Sequence, residues 1–192
     1  MKSINQNYNR RVANLKEGKS AKYWDFELAR ITEKRNRVMR DAINKTARFI
    51  INHCIQNRLG IVVFGWNARQ KDSSDIGRKN NQEFVQLPTA KLKKRIQQLC
   101  EEVGIQFIET EESYTSKSSF LDNDFLPQYG EKPERWKPSG RRGKKGDGIG
   151  RGQYKTAQNI LLNSDCNGAA NILRKVSIQL GLDLSLACVG QS

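Results

Sequence analysis

A strand–helix–strand unit of the α/β class is what residues 60–110 predict, and three observations carry the prediction. Gly60 precedes a short apolar run, Ile61–Val62–Val63–Phe64, with the length and β-branched character of a strand. Leu92, Ile96, Leu99 and Val103 then recur at helical spacing and stop at Gly104, a residue that accepts the left-handed conformation in which many helices end. Ile105–Glu109 follows at once as a second strand. Two strands joined through one helix by short connections read as a right-handed βαβ unit.

The flanking segments can be taken in chain order. Residues 1–28 are polar and basic, with Tyr23, Trp24 and Phe26 as bulky anchors and little periodicity. Over 29–57, Val38, Ala42, Thr46, Phe49, Ile50, His53 and Cys54 recur at helical spacing, while Lys34, Arg35, Arg37, Arg40, Lys45 and Arg48 occupy other faces. This predicts a long amphipathic helix in which His53 is a packed core residue. Residues 65–88 are polar and predict a loop. Glu111 and Glu112 fall just past the carboxyl end of the second strand. Residues 130–156 hold nine Lys or Arg against three acids, with seven Gly and two Pro, and predict a long, flexible basic loop. It does not match a phosphate loop, because the strand, helix and GK[ST] ending are missing. Finally Asp165 stands before a helix whose Ala169, Ile172, Leu173, Val176 and Leu180 share a face, and Asp165 suits its N-cap.

Composition narrows the partners. Lys and Arg outnumber Asp and Glu by 34 to 20, a net charge of +14, and hydrophobic content is only 36%. Such an excess favours a polyanion, since each neutralised phosphate releases counterions. Within the basic segment, Arg141, Arg142, Lys144, Lys145, Arg151 and Lys155 are the candidate nucleic-acid contacts, with Trp136 and Tyr154 available for base stacking. A merely disordered insertion is the competing reading. The four cysteines (Cys54, Cys100, Cys166, Cys188) form no CxxC pair, which predicts a reduced, cytoplasmic protein with free thiols. No apolar run is long enough to span a bilayer, so no membrane partner is expected.

Glu112-x-Tyr114-Thr115-Ser116-Lys117 followed by Asp165-x-Asn167-Gly168-Ala169-x-Asn171-Ile172-Leu173-Arg174-Lys175 resembles the last two catalytic segments of the TnpB (OrfB) nucleases of insertion sequences. KSINQNYNRR, EKRNRVMRDAINKTARFIINHCI and GRKNNQEFVQLP add further matches in the same order. That family consists of transposon-encoded, RNA-guided DNA endonucleases related to the type V CRISPR effectors. The resemblance implies an α/β, incomplete RNase H-like (RuvC-like) fold: the last two strands plus helices, with a long basic loop. It makes 1–192 the C-terminal part of a RuvC-like nuclease domain. Its parts are a long helix at 29–57 and strand–loop–helix–strand at 60–110. A catalytic-segment turn with a basic Gly-rich insertion at 111–162 replaces a zinc ribbon, and 163–181 is the final helix. The loop carrying GRKNNQEFVQLP lies near the active centre in relatives, and a purely structural loop remains the alternative.

In the family three acids hold two Mg²⁺ ions about 3.5–4 Å apart, one activating water and one stabilising the leaving oxygen. The resemblance makes Glu112 the second acid and Asp165 the third, as catalytic and Mg²⁺-binding residues. The first belongs to a strand with no counterpart in this sequence, and that strand would pair with Ile61–Phe64. Two carboxylates hold Mg²⁺ poorly, so the chain alone is expected to be inactive. The first cysteine pair of a zinc ribbon would fall near Ser118 and Leu121, so no zinc is expected. Three readings follow: a truncated transposon nuclease that binds DNA and guide RNA, an active Mg²⁺-dependent nuclease completed by a separately encoded front half, and a non-catalytic nucleic-acid-binding module.

Overall fold

The computed structural model describes residues 2–66, 88–144, 146, 148–150 and 152–181. Residues 67–87, which carry most of the expected loop, lie outside the described residues, as do Lys145, Arg151 and Cys188. The chain divides into two compact units, Met1–Gly60 with Lys71–Gln106, and Ile61–Gln70 with Phe107–Ser192.

In the first unit three helices pack together: α1 (Lys2–Lys16), α2 (Phe26–Gln56) and α3 (Thr89–Val103). Asp25 starts α2: its extended backbone turns the chain, and its carboxylate accepts the Leu28 N–H at 2.8 Å. The buried row of α2 is Leu28, Ile31, Met39, Ile43, Ala47, Ile51 and Cys54. This corrects the expected stripe by a rotation of one residue. Val38 and Phe49 are exposed, and so is His53, whose Nδ1 lies 3.2 Å from Asn57 Nδ2 at the helix end. Two apolar rows run along α2, and the one buried is the one that packs with Ile96, Leu99 and Cys100 of α3. Gly104 closes α3 at φ +73, as its composition requires.

Helix α1 is the element that periodicity did not reveal. It docks on α2 through polar groups: buried Asn5 accepts from Arg35 Nε at 2.7 Å, Tyr8 Oη lies 3.0 Å from Thr32 Oγ1, and Arg11 meets Glu27 at 3.2 Å. An interface made of hydrogen bonds leaves no apolar rhythm in the sequence. Buried polar pairing is the cause.

The second unit contains β1 (Ile61–Gly65) and β2 (Gln106–Thr110). The Gln106 N–H donates to Gly60 O and the Trp66 N–H to Thr110 O, so the register rises along both strands together and they are parallel. Helix α3 lies between them in sequence, in keeping with the expected order strand, helix, strand.

The basic segment is not a loop throughout. Strands β3 (Arg141–Arg142), β4 (Gln153–Lys155) and β5 (Leu161–Asn163) form an antiparallel sheet, with Arg142 opposite Tyr154 and Tyr154 opposite Leu162. Tyr154 is fully buried and its hydroxyl donates to Lys117 O at 2.7 Å, which removes it from any stacking role. Burial, with Asp124 and Asp122 nearby, pushes its phenol up to about 12. Two carboxylates fasten this sheet to the preceding turn. Asp124 Oδ2 accepts the N–H groups of Ser119 (2.7 Å) and Ser139 (3.1 Å). Asp122 Oδ2 accepts from Ser139 Oγ (2.9 Å) and the Ala157 N–H (2.8 Å). Of the two positions where a zinc-ribbon cysteine pair was sought, Ser118 is buried and Leu121 half exposed.

Helix α4 (Ser164–Leu180) is the last element among the described residues of the unit. Asn163, not Asp165, is its N-cap: Asn163 Oδ1 accepts the N–H groups of Asp165 and Cys166 at 2.8 and 3.1 Å. Of its expected apolar face, Val176 is buried, whereas Ala169, Leu173 and Leu180 are exposed. The buried face is polar instead, for reasons that belong to the candidate site.

Ile51→Ala should lower unfolding stability by about 3 kcal/mol, because it opens a cavity in the α2–α3 contact. Phe49→Ala, at a side chain 74% exposed, should stay within about 0.5 kcal/mol. Urea titration of both variants checks the rotated face, and equal losses would contradict it.

Candidate functional site

The site is built by a clamp. The segment Glu111–Pro127, which follows β2, is folded by short turn bonds such as Ser118 N–H to Tyr114 O and Asp124 N–H to Ser119 O, and α4 ties it down from a buried polar row. Asn167 accepts the Phe120 N–H at 2.9 Å and donates to Ser118 O at 2.8 Å. Asn171 Nδ2 donates to Thr115 O and Ser118 O. Lys175 Nζ donates to Ser113 O at 2.9 Å, to Pro127 O at 3.1 Å and to the Glu111 carboxylate. Arg174 binds Asn123 Oδ1 and Asp124 O. Asn167 and Asn171 are fully buried, and Lys175 is 6% exposed. These bonds satisfy the Lys175 ammonium and pair both ends of the Asn167 amide, whereas Asn171 is held through its Nδ2 alone and its Oδ1 is buried without a partner.

Electrostatics follow the clamp. Burial opposes the charge on Glu111, but bonds from Lys175 and Ser113 outweigh it and hold the carboxyl below its ordinary value. Burial also pushes the Arg174 guanidinium down, against the pull of Asp124. The Cys54 and Cys100 thiols are raised by burial in the helical unit, away from the thiolate form.

Glu112 is half-buried at the start of the clamped turn. Its carbonyl accepts from Thr115 Oγ1 at 2.8 Å, and Tyr114 beyond it holds φ +63, a left-handed conformation that costs a bulky side chain energy. Tyr114 is braced by the Trp136 ring, edge to face at 5.4 Å between centroids. From the other side β1 presses close: a Cβ on Gly65 would sit 3.2 Å from Glu112 Cβ and 2.6 Å from Ile172 Cδ1. A side chain at Gly65 would have to displace the end of Ile172 and crowd Glu112 Cβ.

Asp165 lies in the first turn of α4, and its side chain is 87% exposed, with Arg142 Nη2 of β3 3.3 Å away. Asp165 and Ile172 share a helical face, two turns or about 10 Å apart along the axis. Glu112 is therefore seated beside the middle of α4, and Asp165 stands at its start with an arginine at its carboxylate.

Both carboxylates are hard oxygen donors of the type Mg²⁺ takes, but they fall short in number. Among the described residues no group of three or more His, Cys, Asp or Glu is placed to hold a metal ion. No chemical step through a metal follows from this pair.

Of the basic candidates, Arg141, Arg142 and Lys144 are exposed, and Lys155 is half-buried. Arg141 stands directly opposite Lys155 in the β3–β4 register. The β3–β4 pair thus sets two basic residues side by side in the sheet. Sequence reading found these residues and missed the clamp, because it weighed Asn167, Asn171, Arg174 and Lys175 only as matched motif letters. The i, i+4, i+7, i+8 spacing of these four polar residues was the available signal.

No protein-family model and no curated protein matches the sequence. Among solved structures the chain resembles a Cas12f1 chain in the cryo-EM structure of the Cas12f1–sgRNA–target DNA complex, with a TM-score of 0.52 and 22% sequence identity. The match covers 87% of this chain and 39% of that one, so the protein has the fold of part of a Cas12f1 chain and spans well under half its length. Among the described residues no helix is long and apolar enough to cross a membrane.

Lys175→Met should cost about 3 kcal/mol, since Glu111 and two carbonyls lose their shared donor. The stability contributed by the depressed Glu111 is present above its ordinary value of 4.5 and disappears as pH falls through the lower folded value. The stability gap between wild type and Glu111→Gln should accordingly narrow in acid, as chemical denaturation at a series of pH values would show. A gap that widened on acidification would reverse the assigned sign.

Proposed function

We propose that this chain is the C-terminal part of a RuvC-like nuclease domain of the TnpB (OrfB) type, acting on nucleic acid and not competent to cleave it alone. The observation that carries the reading is the division of labour within α4. One row of the helix buries Asn167, Asn171 and Lys175 to brace the turn bearing Glu112, while Asp165 is left exposed beside the basic strand β3. A fold that spends buried polar groups on presenting an acid is organised around that acid. In this reading Glu112 and Asp165 are metal-binding and catalytic residues, and Mg²⁺ would supply water activation and leaving-group stabilisation once a further carboxylate is provided. Arg141, Arg142, Lys144, Lys145, Arg151 and Lys155 contact the phosphates of DNA or of a guide RNA. The fold likeness to a Cas12f1 chain supports this assignment, and the net charge of +14 supports the class of partner.

A second reading rests on the sheet. Among the described residues β1 pairs with β2 on one side and with no strand on the other, although it is strongly apolar. An open apolar edge accepts another strand. That favours completion by a front-half nuclease fragment carrying the first acid.

The purified chain should bind DNA and RNA in a salt-dependent manner and leave a labelled DNA uncut with Mg²⁺ or Mn²⁺. Adding a front-half fragment should produce cleavage that Asp165→Ala abolishes, if the second reading holds. Metal-dependent cleavage by the chain alone, lost in Asp165→Ala, would overturn the proposal that it lacks a needed carboxylate. Retained binding with no cleavage in any mixture would reduce the function to a binding module.

A further inference from the structure

The helical unit carries a second basic surface that the sequence motifs did not single out. Helices α2 and α3 enclose a groove of about 570 Å³. Its floor includes buried Met39 and Ile43, and its rims carry Arg35, Arg37 and Arg40 on α2 and Lys91, Lys94 and Arg95 on α3. Glu33 is the one acid among its described lining residues, and it already faces Arg37 at 3.7 Å. The cations differ in their state. Arg35 is held in place by buried Asn5 and by the Tyr8 ring 5.4 Å away, and Arg95 is tied to Gln98 and Glu102. Arg40, Lys91 and Lys94 are exposed and have no acidic partner among the described residues. Arg37 and Arg40, and again Lys91 and Lys94, are three residues apart, which sets their Cβ atoms about 5–6 Å apart along each rim. Two such rows across a narrow cleft match the repeat of phosphates along one backbone.

We propose that the α2–α3 groove is a nucleic-acid-binding site, built from residues other than Glu112 and Asp165, that takes a single phosphodiester backbone. The inference rests on the nucleic-acid reading above and adds a second contact surface to it. The chemistry selects this occupant. The rims carry positive charge for phosphates, and the amides of Asn36, Asn44 and Gln98 line the cleft beside its apolar floor. A bilayer surface would need an exposed apolar fringe, which a concave cleft rimmed by lysine and arginine does not present. Each contact on the backbone releases counterions, so the site should announce itself in the salt dependence.

The test uses the full chain and fluorescence anisotropy against a short labelled single-stranded DNA, the RNA of the same sequence, the DNA duplex and a polyglutamate peptide. The triple variant Arg40→Gln, Lys91→Gln, Lys94→Gln should bind the single strands at least about tenfold more weakly, and its log–log salt slope should fall by about 2, given roughly 0.7 per phosphate contact. A charge-matched control, Arg10→Gln, Lys22→Gln, Arg58→Gln, should lose much less. Lysine acetylation footprinting of the wild type needs no variant: the oligonucleotide should protect Lys91 and Lys94 and leave Lys22 reactive. Equal losses in both triple variants, or unprotected Lys91 and Lys94 in a chain that binds, would overturn the groove while leaving the proposed function standing. Groove-dependent binding of polyglutamate in place of nucleic acid would also overturn it. A wild-type chain that binds no nucleic acid would remove both proposals together.

Discussion

The second unit depends on one buried ammonium. Lys175 reaches Glu111, Ser113 O and Pro127 O, and so ties the two ends of the turn to a single helix position. An amino group in that environment is tolerable only if all its protons are used, and here each has a taker. Asn171 and Asn167, one and two turns earlier, repeat the arrangement with amides. The turn is thus hung from α4 by its carbonyls, and the left-handed Tyr114 and the crowded Gly65 become sustainable because the surrounding bonds leave the backbone no alternative.

This reliance on polar bonds explains which parts of the fold were legible. Strands β1 and β2 and helix α3 announced themselves through apolar period and Gly104, because their partners are apolar faces. Helix α2 was legible in extent but not in orientation. Val38 and Phe49 compete with Met39, Ile43 and Ile51 for the inner face, and only the position of α3 decides between them. Helix α1 was hidden because Asn5, Tyr8 and Arg11 make its interface, and polar residues read as surface. In α4 the same blindness inverted the helix: the row counted as inner is largely exposed, and the row counted as motif is inside.

The candidate site was half legible for a related reason. Glu112 and Asp165 could be named from the matched segments, and Glu112 does stand at the end of β2. What sequence could not convey is how differently the two are housed. Glu112 is wedged beside Gly65 and Ile172, while Asp165 reaches outward to an arginine from a sheet that composition described as a loop. Strands of two and three residues among seven glycines carry no period, so β3, β4 and β5 exist by virtue of Tyr154 and the Asp122–Asp124 network beneath them.

That network gives the appended sheet an unusual dependence. A knuckle built on thiolates holds together only while metal is supplied and sulfur stays reduced, so chelators and oxidants both dismantle it. Asp122 and Asp124 do the same fastening with backbone amides and one serine hydroxyl, all of them atoms the chain carries with it. Its adversaries are different: water competing for the same N–H groups, and protons, against which hydrogen bonds from Ser119, Ala157 and Ser139 hold the Asp122 carboxyl below its usual range. The element that presents Arg142 to Asp165 therefore depends on the ionisation of two carboxylates, and its hold on the turn weakens as acid protonates them.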